Sequence, residues 1–348
     1  MFRKLRQLRI LYIAAGLAVV MLSALLCACD ARVNVDGDYD PSGGPRRVEP
    51  IVINAGNART YYNRGVAYLQ HRQYAEAVTA LRKAVALKPD FAEAHNNMGC
   101  AYDRLGRYAD ALAAFRKAVA LKPDYVRAHY NIGRASGKLG RYTDAIAAYK
   151  KALALDPDFA EAHCSMAFAY CRLKRHAQAV AACRKAIALK PDYVEAYNNM
   201  SLAYGELGRH GESRAAAMKA IALDPDLAEA HYNLGVALGN LQRYTDAITA
   251  YRKAIALKPD FARAHYNTGS AYGNLGQYAL AIAAWKKAIA IGPDHARAHL
   301  NIGLAHSRLK QHALAITAFE KAIAIDPKSR TADEAREGIR KARRKGKV

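Results

Sequence analysis

One phrase of this sequence returns every 34 residues, and that period limits the folds open to the chain. The phrase ends each time in a proline, at Pro89, Pro123, Pro157, Pro191, Pro225, Pro259, Pro293 and Pro327. Eight repeats therefore fill residues 58–329, nearly four-fifths of the chain. A fixed period of this length is typical of stacked structural units, so we expect one stacked array rather than two or three globular domains.

Within each repeat, small and large residues recur at intervals of three or four, the spacing of one helix face. In repeat two the first such face holds His95, Met98, Gly99, Tyr102 and Leu105. A second face, after the turn at Gly106, holds Tyr108, Ala111, Phe115 and Ala118. Each repeat is therefore predicted to be a helix–turn–helix pair, in which alanines allow close approach, aromatic residues fill volume and proline ends the pair.

Numbering each repeat from 1 to 34, with Ala58 as the first residue, gives a large residue at position 4 and a small one at 8. Position 11 is aromatic, 20 is Ala, 24 is aromatic, 27 is Ala and 32 is Pro, as in His95, Gly99, Tyr102, Ala111, Phe115, Ala118 and Pro123. This pattern resembles that of the tetratricopeptide repeat family. The resemblance implies an all-α, right-handed superhelical solenoid of eight 34-residue helix-turn-helix repeats, with a C-terminal capping helix.

The capping helix is predicted over residues 330–348, where Thr331 and Glu334 form a capping box. Arg and Lys gather at its far end, as suits a helix C-terminus. A membrane-binding or partner-binding tail is the alternative.

Repeat five departs most from the pattern. Ser201 takes the small position 8, and Gly211 stands in the second helix, where the other repeats have helix-forming residues. Ser213 replaces Ala at position 20, and Ala217 replaces the bulky residue at position 24. This repeat is predicted to be a weak point of the stack.

Residues 1–29 have the layout of an export signal: a basic head, an apolar run from Ile10 to Leu26, and small residues before Cys29. Residues 26–29 resemble the lipobox of bacterial lipoproteins, which implies lipid attachment at Cys29. An uncleaved membrane helix and ordinary secretion are the alternatives. Asp30 resembles an inner-membrane retention signal if the cell is Gram-negative. We therefore expect membrane anchoring at the cell envelope, facing away from the cytoplasm, which is the periplasm in a Gram-negative cell.

Residues 30–57 are predicted to be a flexible linker, since they combine acids, Gly and Pro without an apolar period. Asp36, Asp38 and Asp40 imitate the start of a calcium loop, but Pro41 stands where the turn glycine is required. No metal site is predicted there.

Positions 2, 5, 6, 9, 12 and 13 lie opposite the core stripe of the first helix, and the family resemblance implies that they line a concave groove. Position 6 is Asn in seven repeats: Asn63, Asn97, Asn131, Asn199, Asn233, Asn267 and Asn301, with Ser165 in repeat four. The row resembles the asparagine ladder of O-linked N-acetylglucosamine transferases, which implies a grip on the backbone of an extended peptide. The alternative is that each Asn bonds to a neighbouring helix.

Position 5 offers Tyr62, Tyr130, Tyr232 and Tyr266. In repeats six and seven the tyrosine stands near Gly239 or Gly273 at position 12, so the pair is predicted to form a side-chain pocket. Tyrosine packing over its own glycine, without a ligand, is the alternative.

The formal net charge is +23, but the charged groove positions hold nine basic residues against six acidic ones. Repeats five and six make the groove locally acidic, so DNA or RNA is not an expected partner. Most of the basicity lies outside the groove, notably in pairs on the second helices: Arg82-Lys83, Arg116-Lys117, Lys150-Lys151, Arg184-Lys185, Arg252-Lys253 and Lys286-Lys287. This ridge is interpreted as a solvated face, or as a surface against anionic lipid or envelope polymer.

The six histidines at position 4 are interpreted as core-face residues, because helices of neighbouring repeats lie about 10 Å apart and cannot share a metal. Cys164 and Cys171 lie too far apart on one helix for a disulfide; the role of Cys100, Cys164, Cys171 and Cys183 beyond packing stays open. No catalytic motif remains once the repeats are subtracted, so no enzymatic activity, cofactor or metal is predicted.

The leading hypothesis is an adaptor at the cell envelope that binds an extended segment of a partner protein in its groove. The alternative is a self-associating structural protein, a homo-oligomer that stacks through its convex basic surface.

Overall fold

The structure is a computed structural model that describes residues 57–293 and 295–345. The predictions for residues 1–56, including the signal, Cys29 and nearly all of the linker, lie outside the described residues. The described part contains seventeen α-helices and no strand. It divides into two compact units, and the boundary along the chain falls between Arg141 and Tyr142, inside repeat three.

The first compact unit contains five helices: α1 Ala58–Gln70, α2 Tyr74–Leu87, α3 Ala92–Arg104, α4 Tyr108–Leu121 and α5 Val126–Lys138. The second contains α6 Tyr142–Leu155, α7 Ala160–Arg172, α8 His176–Leu189, α9 Val194–Glu206, α10 His210–Leu223, α11 Ala228–Asn240, α12 Tyr244–Leu257, α13 Ala262–Asn274, α14 Tyr278–Ile291, α15 Ala296–Arg308, α16 His312–Ile325 and α17 Arg330–Lys345. Helices consecutive within each compact unit pack on each other, so the predicted all-α helical-repeat fold is confirmed.

The predicted helix starts are wrong in detail. Asp124, which directly follows Pro123, is the cap that the sequence favours for α5. The residue before α5 is instead Tyr125, and the amide of Val126 donates to the backbone carbonyl of Asp124 at 2.9 Å. At α17 the hydroxyl of Ser329 accepts from the Ala332 amide at 3.2 Å, in place of the predicted Thr331. A proline two residues upstream constrains the chain at both starts, and at α5 a backbone turn takes the place of the expected side-chain cap.

In repeats one, two, six, seven and eight, the core is built around contact between positions 8 and 24. A methyl group placed on Gly99 would come within 2.6 Å of the Phe115 ring, and one on Gly235 within 2.5 Å of the Tyr251 ring. The aromatic ring therefore lies directly on the backbone of the first helix. A bulky residue at position 24 requires glycine at position 8.

Repeat five fills the same volume with small polar groups. The Ser201 hydroxyl donates to the backbone carbonyl of Ser213 at 2.8 Å, and the Ser213 hydroxyl donates to the carbonyl of Ser201 at 2.8 Å. Both serines and Ala217 are buried. The two hydrogen bonds offset part of the stability that is lost with the aromatic ring, because each buried hydroxyl has a partner.

The helices of the described part include none that is both long and apolar enough to cross a bilayer.

Candidate functional site

The surface of interest is the first-helix face, formed by positions 2, 5, 6, 9, 12 and 13 of the first helix of each repeat. In the second compact unit these helices are α7, α9, α11, α13 and α15. Neighbouring first helices touch directly, since the amide group of Asn233 on α11 donates to Oδ1 of Asn198 on α9 at 2.8 Å. The face therefore runs without interruption from one first helix to the next within this unit.

The asparagines at position 6 have a shared role in the fold. Six of the seven donate a side-chain N–H to the position-5 residue of the preceding repeat, 35 residues earlier. The pairs are Asn97 to Tyr62 (3.2 Å), Asn131 to Asn96 (3.1 Å), Asn233 to Asn198 (2.8 Å), Asn267 to Tyr232 (3.1 Å), Asn301 to Tyr266 (3.1 Å) and Asn199 to the Cys164 sulfur (3.6 Å). The bond to a neighbouring helix, one of the two predicted roles, is thus present; binding of a peptide stays a prediction.

The asparagines differ in accessibility. Asn63 on α1 is exposed, and the members on α3, α9, α11, α13 and α15 are half-buried. Asn131 is only 7% exposed, which removes it from contact with a ligand. The row is therefore accessible over four consecutive first helices, α9 to α15.

Aromatic side chains of the second helices lie close to Gly239 and Gly273, where side-chain pockets were predicted. A methyl group on Gly239 would lie 3.7 Å from the Tyr251 hydroxyl, and one on Gly273 would lie 3.3 Å from the Trp285 ring. The floor beneath each glycine is therefore aromatic, and binding of a side chain there stays a prediction.

The tyrosines at position 5 pack against the aromatic residues that connect one repeat to the next. The Tyr232 ring lies 4.9 Å from the Phe261 ring, and Tyr62 lies 4.7 Å from Phe91, measured between centroids. Tyr266 stacks on His295 at 4.6 Å, while Tyr130 is half-buried on α5. Burial raises the pKa of Tyr62 and Tyr232, so both hydroxyls stay protonated while they accept from asparagine.

Exposed apolar side chains at position 9 were missed by the sequence analysis, which counted only charges there. Phe168 on α7 is 44% exposed, Leu202 on α9 is 38% exposed and Leu304 on α15 is 48% exposed. Val236 on α11 is half-buried. The sequence does contain a signal for this surface: repeats four, five and six each place an apolar residue at position 9, which points away from the core.

The same three repeats carry carboxylates on this face. Glu161, Glu195 and Glu229 hold position 2 of α7, α9 and α11, and Glu206 holds position 13 of α9. Glu229 pairs with Lys258 at 3.4 Å. On α7, Arg172 at position 13 balances Glu161, so the net acidic part of the face lies in repeats five and six. Arg263 and Arg297 then take position 2 of α13 and α15, so the sign reverses.

In the first compact unit, opposite charges on the first-helix face pair with each other. Arg134 on α5 reaches Asp103 on α3 at 3.4 Å, and the Asp103 side chain is 7% exposed. This pair leaves less charge available there for a ligand than the sequence count indicates.

The basic pairs of the second helices are partly structural. In three of them the arginine donates to the tyrosine hydroxyl at position 11 of the next repeat: Arg82 to Tyr102 (2.7 Å), Arg184 to Tyr204 (3.0 Å) and Arg252 to Tyr272 (2.8 Å). These arginines tie successive repeats together, which explains part of the ridge without any partner.

Of the six histidines at position 4, His95, His129, His231 and His265 are buried in the core, as predicted, while His163 and His299 are half-buried. Nε2 of His95 is 3.0 Å from the carbonyl oxygen of Pro89, and four more repeats show the same contact. The part of the chain that the structure describes holds no cluster of three His, Cys, Asp or Glu residues suited to a metal ion.

The three cysteines of repeat four are buried. Burial raises the pKa of the Cys164 thiol to about 12 and that of Cys171 to about 11, and it raises the pKa of Cys183 further. All three stay protonated near neutral pH. Since the thiolate is the nucleophile and the metal ligand, the surroundings suit packing rather than redox or metal chemistry.

Comparison with known proteins agrees with this geometry. A family model described as tetratricopeptide repeat matches residues 62–126, 96–158, 130–194 and 266–330. Further models, described as TPR repeat or tetratricopeptide repeat, match residues 194–227, 216–249 and 240–276. Among curated proteins, none is matched by this sequence.

Two solved structures show a similar fold. The structure of the APC/C hetero-tetramer Cut9-Hcn1 aligns with a TM-score of 0.60 at 20% identity, over 77% of this chain and 52% of that one. A tetratricopeptide repeat protein from Parabacteroides merdae aligns with a TM-score of 0.56 at 16% identity, over 72% of this chain and 98% of that one. This chain thus spans about half the length of the first protein, and both likenesses concern the fold alone.

Proposed function

The chain belongs to the tetratricopeptide repeat family, whose fold is typically a non-catalytic protein-interaction scaffold, and we propose that it binds an extended segment of a partner protein on its first-helix face. The observation that carries this proposal is the exposure of Phe168, Leu202 and Leu304 on that face. Large apolar side chains that successive helices expose on one face are a mark of an interaction surface. The core faces of the same helices are already covered by their second helices.

The asparagine row supplies the polar half of the proposed site. A carboxamide has two N–H donors and one oxygen acceptor, and Asn233, Asn267 and Asn301 each donate an N–H to the preceding repeat. That bond fixes the orientation of the group. On this proposal, the polar atoms that the fold leaves available bond to the backbone amides of an extended segment, and their fixed orientation lowers the entropy lost on binding.

We also propose that the protein acts at the cell envelope, held to the membrane at Cys29 and facing away from the cytoplasm. The support is the layout of residues 1–29 and the lipobox-like run before Cys29. On this proposal the partner is an envelope or exported protein. Catalysis is not part of the proposed role.

The asparagine row can be tested with a matched pair of variants. Asn267→Ala removes the carboxamide, whereas Tyr232→Phe removes only the hydroxyl that accepts from it. Each loses the same hydrogen bond, so each should lower the free energy of unfolding by about 1 kcal/mol. We expect only Asn267→Ala to weaken partner binding further, measured by co-purification and calorimetry. Equal binding by the two variants would limit the row to a structural role.

A further inference from the structure

We propose that the segment bound by repeats four to six is basic and apolar, with an apolar side chain at every third residue and Lys or Arg between. This inference rests on the proposed function and specifies its partner. It is carried by the apolar row Phe168, Leu202 and Val236, all within the second compact unit, together with the carboxylates beside this row. We call the residues of both rows the acidic–apolar strip; its carboxylates are Glu161, Glu195, Glu206 and Glu229.

The strip forms one continuous stripe because of helical geometry. Positions 2 and 9 are seven residues apart, which is nearly two full turns, and position 13 is about one turn further on. Glu161 therefore lies in line with Phe168, and Glu195, Leu202 and Glu206 lie in line with one another. Repeating this on α7, α9 and α11 produces parallel rows of carboxylate and apolar side chains across three helices.

The carboxylates are largely available. Glu161, Glu195 and Glu206 are exposed, and among the described residues none of the three has an ion-pair partner within 4.0 Å. Glu229 shares its charge with Lys258. The cation on the same stripe is Arg172, which lies over the Tyr142 ring at 5.1 Å, while Tyr142 packs edge-on against Phe168. The strip is therefore net negative on a chain whose net charge is +23.

This local reversal of charge selects the partner chemistry. A carboxylate beside an exposed apolar side chain favours a segment that offers a cation next to an apolar group, and it repels acidic segments. Lys and Arg satisfy both demands, because their aliphatic stems cover apolar surface while their charged ends reach the carboxylates.

The spacing of the helices sets the register. Directly packed helices lie about 10 Å apart. An extended chain advances about 3.1–3.3 Å per residue, so three residues span the step from one first helix to the next. A polyproline II conformation also returns to the same face every three residues. One apolar residue in three would thus contact Phe168, Leu202 and Val236 in turn.

The test uses ten-residue synthetic peptides and the full chain. The first peptide has Leu at every third position with Lys and Pro between; the second replaces Lys by Glu, and the third replaces Leu by Ser. Fluorescence anisotropy at low salt should show at least about tenfold tighter binding of the first peptide than of the other two, and 0.5 M NaCl should reduce its advantage over the Glu peptide. Equal or tighter binding of the Glu peptide would overturn the inference.

Variants locate the binding on the strip. Glu195→Gln with Glu206→Gln should weaken the Lys peptide about fivefold, and Leu202→Ser should weaken both Leu-containing peptides. Glu212→Gln is the matched control, because Glu212 is on α10 of the same repeat and pairs with Arg209 away from this face. Unchanged binding by the Leu202→Ser variant, with an unchanged melting temperature, contradicts the inference. If the peptides fail but Leu202 still crosslinks to a natural partner, the specified chemistry is wrong while the proposed function stands.

Discussion

Positions 8 and 24 share one volume in repeats one, two, six, seven and eight, so their residues are expected to change together. Glycine at position 8 accompanies Phe115, Tyr251 and Trp285 at position 24. Repeat five reverses the arrangement, with Ser201 at position 8 and Ala217 at position 24, both buried. The effect of a substitution at one position therefore depends on the residue at the other, and the small side chain of Ala217 matches the serine at position 201.

Ala217→Tyr tests this matching. By the geometry of repeat six, a tyrosine ring at 217 would overlap the Cβ of Ser201, as it would overlap a methyl group on Gly235. The single variant should lose about 1–3 kcal/mol of unfolding free energy. Ser201→Gly combined with Ala217→Tyr should recover most of that loss. Urea unfolding of the single and double variants gives the comparison, and a single variant more stable than the native chain would refute the shared volume.

Residue patterns predicted which side chains are buried but not what their polar atoms bind. The face bearing His95, Gly99 and Tyr102 followed from helical spacing, because burial depends on which side a residue points to. The bond from Asn267 to Tyr232 joins residues 35 apart in sequence, and its geometry depends on how two first helices pack. Spacing within one helix carries no information on that distance.

At the scale of elements, the second helix of repeat five is the outlier. The buried residues of α10 are Ser213, Ala216, Ala217 and Ala220, whereas α12 buries Ile248 and Tyr251 with three alanines. Helix α10 therefore has less apolar surface to lose on local opening. The serine pair offsets some of this deficit, but hydrogen bonds contribute less than a packed aromatic ring.

Amide hydrogen exchange measures that difference. Residues 209–222 should exchange faster than the matching residues 243–256 of repeat six, because the weaker interfaces of α10 open more often. The comparison is internal to one sample, so temperature and pH are identical for both segments. Equal protection of the two segments would make repeat five an ordinary member of the stack.

Element boundaries were predicted less well than element types. The period fixed the number and order of the helix pairs, since each proline and each apolar face recurs. The residues at the helix starts were misassigned at α5, where a backbone turn satisfies an amide that a side chain was expected to cap, and at α17, where Ser329 rather than Thr331 accepts from the Ala332 amide. Such turns depend on local backbone angles that the residue pattern does not specify.

At the scale of the whole molecule, charge is distributed by face rather than spread evenly. The second helices carry paired cations, while the acidic–apolar strip lies on α7, α9 and α11. A partner therefore meets a different chemistry on each side of the second compact unit. This separation allows one face to bind a segment while the other remains solvated or lies against anionic material.

The proposed anchor is tested by one substitution outside the described residues. Cys29→Ala removes the thiol that would carry the lipid, so metabolic lipid labelling should be lost and the protein should leave the membrane fraction. Extraction with high salt separates this from electrostatic adhesion of the basic surface. Loss of labelling with continued membrane retention would favour an uncleaved helix instead.

Site-specific photocrosslinking tests the central claim, that the first-helix face binds a partner protein. A photoreactive phenylalanine analogue replaces Leu202 on the first helix of repeat five, or Met218 on the second helix of the same repeat; both native side chains are exposed. We predict that irradiation in cells joins position 202 to a different protein and that position 218 gives no such product. Crosslinks between copies of this chain from position 218, with none from position 202, would contradict the account and favour self-association.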